Sequence, residues 1–553
     1  PEPRAVLERY TALVGRAPMP PLWALGYQQC RWGYPSEGAV REVVAEMRRR
    51  DIPLDALWLD IDHMERYKSF TFDPHRFPDP PGLSAELAEQ GVRLVTIIDP
   101  GLKAEPGYHA YDQAMEHGYA MRAPRGEVLT GTVWPGEVIW PDFTREEVRR
   151  WWGELHRGLV EAGVAGVWND MNEPATFSVM GHKTPQGMPP GARHAAHTHA
   201  EVHNLYALLE CRAAFEALAR LRPGRRPFVL TRAGFAGIQR YAWVWTGDNS
   251  SSWQHLEESV PMLLGLSLSG VPFIGADIGG FSGDSNGELL ARWTWLGVCY
   301  PLMRNHSECD SLAQEAWSFG EPWTGYVREA VRLRYRLLPQ LYSLAREAVE
   351  EGAPPLRPML FEYPADEIAW SLADQFMLGA DLLAAPALRP AQQARAVYLP
   401  SGRWHDWRSG EAIEGGRWIV VPTPLDALPL FLRGGRVLSM TDPATHTTDA
   451  YWDPLVLRLA PDSEGRVQGR VWEDAGDGDA PGGWTRIRGE VGASELEVSV
   501  DSARLGTPRD VVLELRAPEP VRASGHWTRE DGWLRLRARQ EGGALRITAH
   551  FTH

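Results

Sequence analysis

Residues 164–174 read Val164-Ala165-Gly166-Val167-Trp168-Asn169-Asp170-Met171-Asn172-Glu173-Pro174. The stretch starts as an apolar run of strand length and then breaks into Asn, Asp, Asn and Glu ahead of a proline. A buried strand that turns polar only at its carboxyl end points to a parallel sheet whose strand ends open on a site. Similar apolar runs lie at Leu22 to Tyr27, Ala56 to Leu59, Arg93 to Ile98, Pro227 to Thr231, Ala242 to Thr246, Val271 to Gly275 and Tyr300 to Met303, making eight with Val164 to Trp168. Amphipathic helical patterns fall between them, among them Glu37 to Arg49, Arg145 to Ala162, His203 to Leu221 and Asn286 to Gly297. Eight strand–helix units closing on themselves predict an α/β chain built on a (β/α)8 TIM barrel.

The polar residues follow those strands. Asp60 and Asp62, Asp99, Asp170, Arg232, Asp248, Asp277, and Arg304 with His306 each stand at or just past a carboxyl end. In a parallel barrel these ends share one face, so residues far apart in sequence converge on one bowl. About half of them are expected to be loop caps and salt bridges rather than working groups. Two stretches interrupt the rhythm and are expected as insertions over the bowl. Residues 101–142 carry Trp134 and Trp140, and residues 175–200 are rich in Gly, Pro and His. His194, His197, His199 and His203 have spacings that suit a metal, but no cysteine joins them, and a polar loop leading into a helix is the reading adopted.

Asp170 and Asp248 stand out by their company, the second lying in Trp245-Thr246-Gly247-Asp248-Asn249. An aspartate after a strand is most often a helix cap or Asx turn. Here each has a tryptophan nearby, Trp168 and Trp245, flat enough to stack on a sugar face yet equally suited to a core. Cleaving a glycosidic bond takes one carboxyl to protonate the leaving oxygen and a second to meet the charge on the ring, so the pair points to carbohydrate chemistry.

Composition narrows the field. A formal charge of −15 argues against nucleic acid as a partner, and 44% hydrophobic residues without an apolar run of membrane-spanning length argue against a membrane protein. Cys30, Cys211, Cys299 and Cys309 lack CxxC spacing, which fits a reducing cytoplasm better than a disulfide framework. Helical patterning stops near Gly352, and alternating strands and turns follow. Two β-sandwich domains, 353–439 and 440–553, are therefore expected after a barrel at 20–352. The run Asp474 to Asp479 departs from a calcium loop in register and reads as a glycine-rich hairpin turn. The sequence leaves the oligomeric state open.

With these residues in view, the chain resembles glycoside hydrolase family 31, and within it the α-glucosidases. The resemblance rests on Trp58 through Met64, Phe70 through Pro74, Trp168 through Pro174, Gln239-Arg240-Tyr241, Trp245 through Asn249, Gly275 through Phe281 and Arg304 through Ser307, in the family's order. It implies Asp170 as nucleophile and Asp248 as general acid/base of a retaining reaction, with no metal or organic cofactor. Asp60, Arg232 and His306 match residues that hold sugar hydroxyls. Ile61, Trp134, Trp168, Met171 and Phe281 match the walls of the same subsite, Trp245 joins them as an aromatic candidate, and Asp277 matches its supporting shell. Arg232 is expected to keep Asp170 ionised, and the charge of Asp170 to raise the pKa of Asp248. The carboxyls of a retaining pair are expected about 5 to 5.5 Å apart.

The Asp-Met-Asn-Glu phrase resembles the glucosidase branch, so the substrate implied is an α-glucoside oligosaccharide. Transfer to a sugar hydroxyl in place of water, and an inactive carbohydrate-binding protein on the same barrel, are the competing readings. Retention of both acids argues against the last. The family also implies a β-sandwich ahead of the barrel. Residues 1–19 read as the linker out of it, with that domain absent from this chain.

Overall fold

The computed structural model describes residues 2–179, 182–183, 187–449, 452–503 and 507–551. Its centre is a barrel of eight parallel strands: β1 (Tyr27–Arg31), β2 (Ala56–Leu59), β3 (Arg93–Ile98), β4 (Gly166–Asn169), β5 (Val229–Thr231), β6 (Trp243–Trp245), β7 (Ile274–Gly275) and β8 (Met303–Asn305). Neighbours follow chain order from β1 to β7, and β8 pairs with β1 in the register Tyr27↔Met303. A parallel bridge between Ile278 and Asn305 and a hydrogen bond from Leu302 N–H to Ile274 O bring β7 against β8 and nearly close the ring. Strands β2, β4 and β6 are buried along their whole length, as expected where helices cover the outside of a barrel.

Two of the expected strands are displaced. Leu22–Leu25 is a turn of 3-10 helix under the barrel, and the first strand is Tyr27–Arg31; the last begins only at Met303. The cause is the same in both places. The barrel interior takes polar side chains that find partners there, so the most apolar run lies just before the strand. Gln28 is fully buried, donating to Ala24 O at 2.7 Å and accepting from Trp58 Nε1 at 2.8 Å. The expected helix 145–162 is split into Glu146–Leu155 and Arg157–Glu161 at His156, whose buried ring packs edge-on against Phe70.

The two insertions join. Leu102–Lys103, Gly136–Ile139, Thr130–Val133, Ser178–Val179 and His182–Lys183 pair in that order as one antiparallel sheet over the bowl. Residues 180–181 and 184–186 of the second insertion lie outside the described residues. A second tie comes from Asp142, whose Oδ1 lies 2.9 Å from His194 Nδ1 and whose Oδ2 accepts from Ala195 N–H at 2.7 Å. His194 Nε2 is in turn 3.2 Å from His199 Nδ1, at the start of the helix His199–Val202.

Beyond the barrel the chain is β-rich, with a six-stranded sheet, a two-stranded ribbon and a ten-stranded sheet. The Asp474 turn docks against the amino-terminal end of the barrel. Leu22 N–H donates to Gly476 O at 2.7 Å, and Asp474 takes an ion pair from Arg226 at 2.8 Å and a hydrogen bond from Trp472 Nε1 at 2.9 Å. At the other terminus Pro3–Val14, within the stretch read as linker, is a helix whose Leu7 packs with Ala353 and Phe361. Among the described residues no helix is long and apolar enough to cross a membrane.

Candidate active site

Asp170 leaves the end of β4 with its N–H bonded to Ile98 O of β3, and the next residue, Met171, adopts φ +55°. A left-handed backbone is costly for a side chain of this size and holds only where the surroundings impose it. Asn172 supplies that support. Its Nδ2 donates to Thr231 Oγ1 at 2.9 Å and its Oδ1 accepts from Ala233 N–H at 3.2 Å, binding the turn after β4 to the end of β5.

Arg232, one residue past β5, is the hub. Its Nη1 lies 3.1 Å from Asp170 Oδ1 and 4.0 Å from Asp248 Oδ2, while Nε and Nη2 donate to the two oxygens of Glu173 at 2.9 and 3.0 Å. The fork grip by Glu173 fixes the plane of the guanidinium, leaving Nη1 aimed between the two aspartates. That shared nitrogen limits the distance between those two aspartate oxygens to about 7 Å. Asp248 comes from beyond β6 after Gly247 (φ +75°), and the following Asn249 ties its loop to the β7 loop by donating to Asp277 O and accepting from Phe281 N–H. The two acids differ in setting: the side chain of Asp170 is 12% exposed and that of Asp248 51%.

Burial pushes the Asp170 carboxyl up to about 6 against the pull of Arg232, with the negative charge of Asp248 adding to the rise. Asp248 is also raised. Its largest cause is burial, opposed by Arg232 and Arg304, and not the charge of Asp170 expected from the sequence.

Below this pair Arg304 of β8 is almost wholly buried. Its guanidinium carbon stands 4.9, 4.7 and 5.3 Å from the ring centres of Trp58, Trp168 and Trp245, and its Nη2 donates to Asp277 Oδ1 at 2.6 Å. Trp168 and Trp245 thus serve as a cage for a buried cation and form the floor, with little surface left to the bowl. Burial carries Asp277 to about 7 in spite of its arginine. Beside the cage His306 packs edge-on to Trp168 at 5.3 Å and tilts against Phe281 at 4.8 Å. Its Nε2 is 3.6 Å from Asp60 Oδ2, and Asp60 Oδ1 accepts from Ile61 N–H at 2.7 Å. Burial takes the His306 pKa well below 6.5, so the ring is neutral, and takes Asp60 to about 8.

Ile61 and Met171 are buried here, the Met171 sulfur accepting from Arg232 Nη2 at 3.2 Å. Trp134 stands apart from the floor. It projects from the lid sheet, 37% exposed, with Trp32 and Phe177 packed edge-on at 5.3 and 4.9 Å. Asp99 is buried close enough to Asp170 to feel its charge, whereas Asp62 turns outward to Tyr67.

Several participants escaped the sequence reading. Glu173 reads from the sequence as polar company for Asp170 alone, because its partner Arg232 lies 59 positions away. Trp32 follows directly on β1 and is missed because the first strand is expected at Leu22 to Tyr27, and Phe177 lies in the second insertion, outside the strand-end pattern. Glu210, fully buried on the helix Tyr206–Leu221 and close enough to Asp170 and Glu173 to feel their charges, carries no sequence signal at all.

Residues 17–344 match the model of the glycosyl hydrolases family 31 TIM-barrel domain, and residues 352–438 that of the glycosyl hydrolase family 31 C-terminal domain. Alpha-glucosidase 2 of Bacillus thermoamyloliquefaciens is 46% identical over 445 residues, covering 80% of this chain and 56% of the relative. The Flavobacterium johnsoniae GH31 dextranase, solved in complex with isomaltotriose, superposes with a TM-score of 0.93 at 28% identity over all of this chain and 73% of its own. The family 31 alpha-glucosidase of Bacteroides thetaiotaomicron gives 0.80 at 36% identity, over 91% of this chain and 81% of its own. The chain spans just over half the length of the curated relatives it matches. With the barrel, its strand-end acids and both domain models in agreement, the chain belongs to glycoside hydrolase family 31.

Proposed function

We propose that this chain is a retaining α-glucosidase that releases glucose from the non-reducing ends of α-linked oligosaccharides. The observation that carries the reading is Arg232 Nη1, flanked by Asp170 at 3.1 Å and Asp248 at 4.0 Å on one face of the barrel. Two carboxyls around one nitrogen, at most about 7 Å apart, lie within the reach of a single sugar ring; retention calls for about 5 to 5.5 Å, a gap of about 7 Å would point to inversion, and the retaining reading rests on the family resemblance. Asp170, held by the cation, attacks the anomeric carbon and forms a glycosyl ester, while the carboxyl of Asp248 gives its proton to the departing oxygen. Asp248 then takes a proton from water, which opens the ester and returns Asp170 as the anion. The exposure of Asp248 suits a group that must meet leaving groups and water in turn. Asp60 and His306 lie on the opposite side of the floor, where their polar atoms suit sugar hydroxyls, and Trp134 with Phe177 offers an aromatic rim to the next sugar unit. The α-glucosidase names of its relatives support glucose as the sugar cleaved.

The test is incubation with maltose and with p-nitrophenyl α-glucoside, following free glucose and longer sugars together and reading the anomer first formed by NMR. α-Glucose appearing first supports the proposal. β-Glucose refutes retention, build-up of oligosaccharides at modest substrate favours transfer, and inertness toward every α-glucoside refutes the activity.

A further inference from the structure

On the floor of the bowl, Asp60 and His306 meet a third donor, Cys30, that the chemistry above does not use. Cys30 at the end of β1, Asp60 past β2 and His306 past β8 offer a thiol sulfur, a carboxylate oxygen and an imidazole nitrogen, all within 4.8 Å of one another. They converge because closure of the barrel sets β8, β1 and β2 side by side. A tetrahedral zinc ion holds such atoms about 3.3 to 3.6 Å apart, given bonds of about 2.3 Å to sulfur and 2.0 to 2.2 Å to nitrogen and oxygen. His306 Nε2 and Asp60 Oδ2 already stand at 3.6 Å. We infer that Cys30, Asp60 and His306 form a site for a thiophilic divalent cation, with Zn2+ the best match, and that the bound ion closes the sugar pocket as an inhibitor.

Three further observations agree. Among the described residues His306 Nδ1 has no hydrogen-bond partner to lock the opposite tautomer, which leaves Nε2 for a metal. Asp60, Asp99, Asp170, Glu173, Asp248 and Asp277 gather at the bowl, and Arg232 and Arg304 beside them are already engaged by carboxylates. Asp60, partly open to the bowl, provides the way in. A soft sulfur in the set selects zinc over magnesium or calcium. On binding, the Cys30 S–H bond breaks, a sulfur–zinc bond forms, and the thiol proton leaves to solvent together with the proton of the Asp60 carboxyl where it is protonated.

Binding is claimed independently of turnover; competition with substrate rests on the proposed sugar pocket. Co2+ added to the purified protein in place of Zn2+ is expected to give a sulfur-to-cobalt charge-transfer band in the near ultraviolet. Cys30→Ser removes the band, Cys309→Ser at the exposed cysteine leaves it, and His306→Asn weakens Co2+ binding by about 100-fold or more. Zn2+ is expected to inhibit p-nitrophenyl α-glucoside hydrolysis competitively, and Cys30→Ser to relieve the inhibition while retaining activity. Absence of the band, its survival in Cys30→Ser, or inhibition that substrate does not relieve each overturns the inference. A band in a protein inert toward α-glucosides upholds the metal site and sinks the glucosidase reading; activity without a band does the reverse.

Discussion

Replacing Arg232 with Gln tests whether one guanidinium sets the charge of the attacking carboxylate. Asp170 titrates at about 6 in the presence of that cation, because burial outweighs it. At 3.1 Å and an effective dielectric constant of about 20, the attraction is worth about 5 kcal/mol before screening. The full value overstates the effect, since the same cation is shared with Glu173 at 2.9 Å and Asp248 at 4.0 Å. An arginine beside an aspartate typically lowers its pKa by about 1 to 3 units. Without it the Asp170 pKa moves upward by that amount, and the anion that attacks is lost at working pH. The sign is definite: activity needs Asp170 deprotonated, so the acid limb of the pH profile shifts toward higher pH. The assay is kcat/KM for p-nitrophenyl α-glucoside from pH 4 to 9, where the limb reports the free enzyme. Near pH 6, where half of the wild-type Asp170 is ionised, the variant is expected to fall about 5- to 500-fold below the wild type from ionisation alone, and part of that loss returns as the pH rises. A variant that loses activity equally at every pH, with its acid limb unmoved, refutes the assignment of Arg232 as the electrostatic partner and leaves it only a sugar contact.

Asp170→Ala is expected to abolish turnover, whereas Asp248→Ala keeps measurable activity on p-nitrophenyl α-glucoside, whose leaving group needs no proton, and loses it on maltose; equal mild losses in both variants would contradict the roles given to the two acids. Asp277→Ala strands Arg304 inside its tryptophan cage, where both partners are 1% exposed. Urea denaturation should therefore show about 3 to 5 kcal/mol of destabilisation, with most of it recovered when Arg304→Met is added. Asp55, fully buried, takes hydrogen bonds from Thr447 N–H and Oγ1 at 2.9 and 2.5 Å and from Tyr335 Oη, and burial raises its pKa from 3.8 to about 6. A raised carboxyl favours the folded state below its unfolded pKa, so this contribution, about 3 kcal/mol in order of magnitude, is lost as pH climbs from about 4 through about 6. Denaturation midpoints of Asp55→Asn across that window should fall less steeply than those of the wild type, and parallel curves would defeat the claim.

The α/β class, the eight strand–helix units and the polar strand ends were legible in the chain itself, because alternating apolar runs and amphipathic segments are local patterns that need no knowledge of distant residues. Asp170 and Asp248 could be singled out for the same reason: each sits in a phrase whose neighbours betray a strand end. Strand position failed where the barrel took polar side chains inside, since Gln28 and Arg304 break the apolar pattern that marks a strand and find their partners, Trp58 and Asp277, only through space. Only the tertiary structure decided who meets whom. Ring closure sets β8 against β1, which brings His306 to Asp60 and Cys30, and the lid exists as one sheet because residues 130–139 pair with 178–179 across the whole of β4. The pKa of Asp170, the grip of Glu173 on Arg232 and the cage around Arg304 belong to the same class of fact. Each depends on through-space distances of 3 to 5 Å between residues tens to hundreds of positions apart, which no periodicity in the chain encodes.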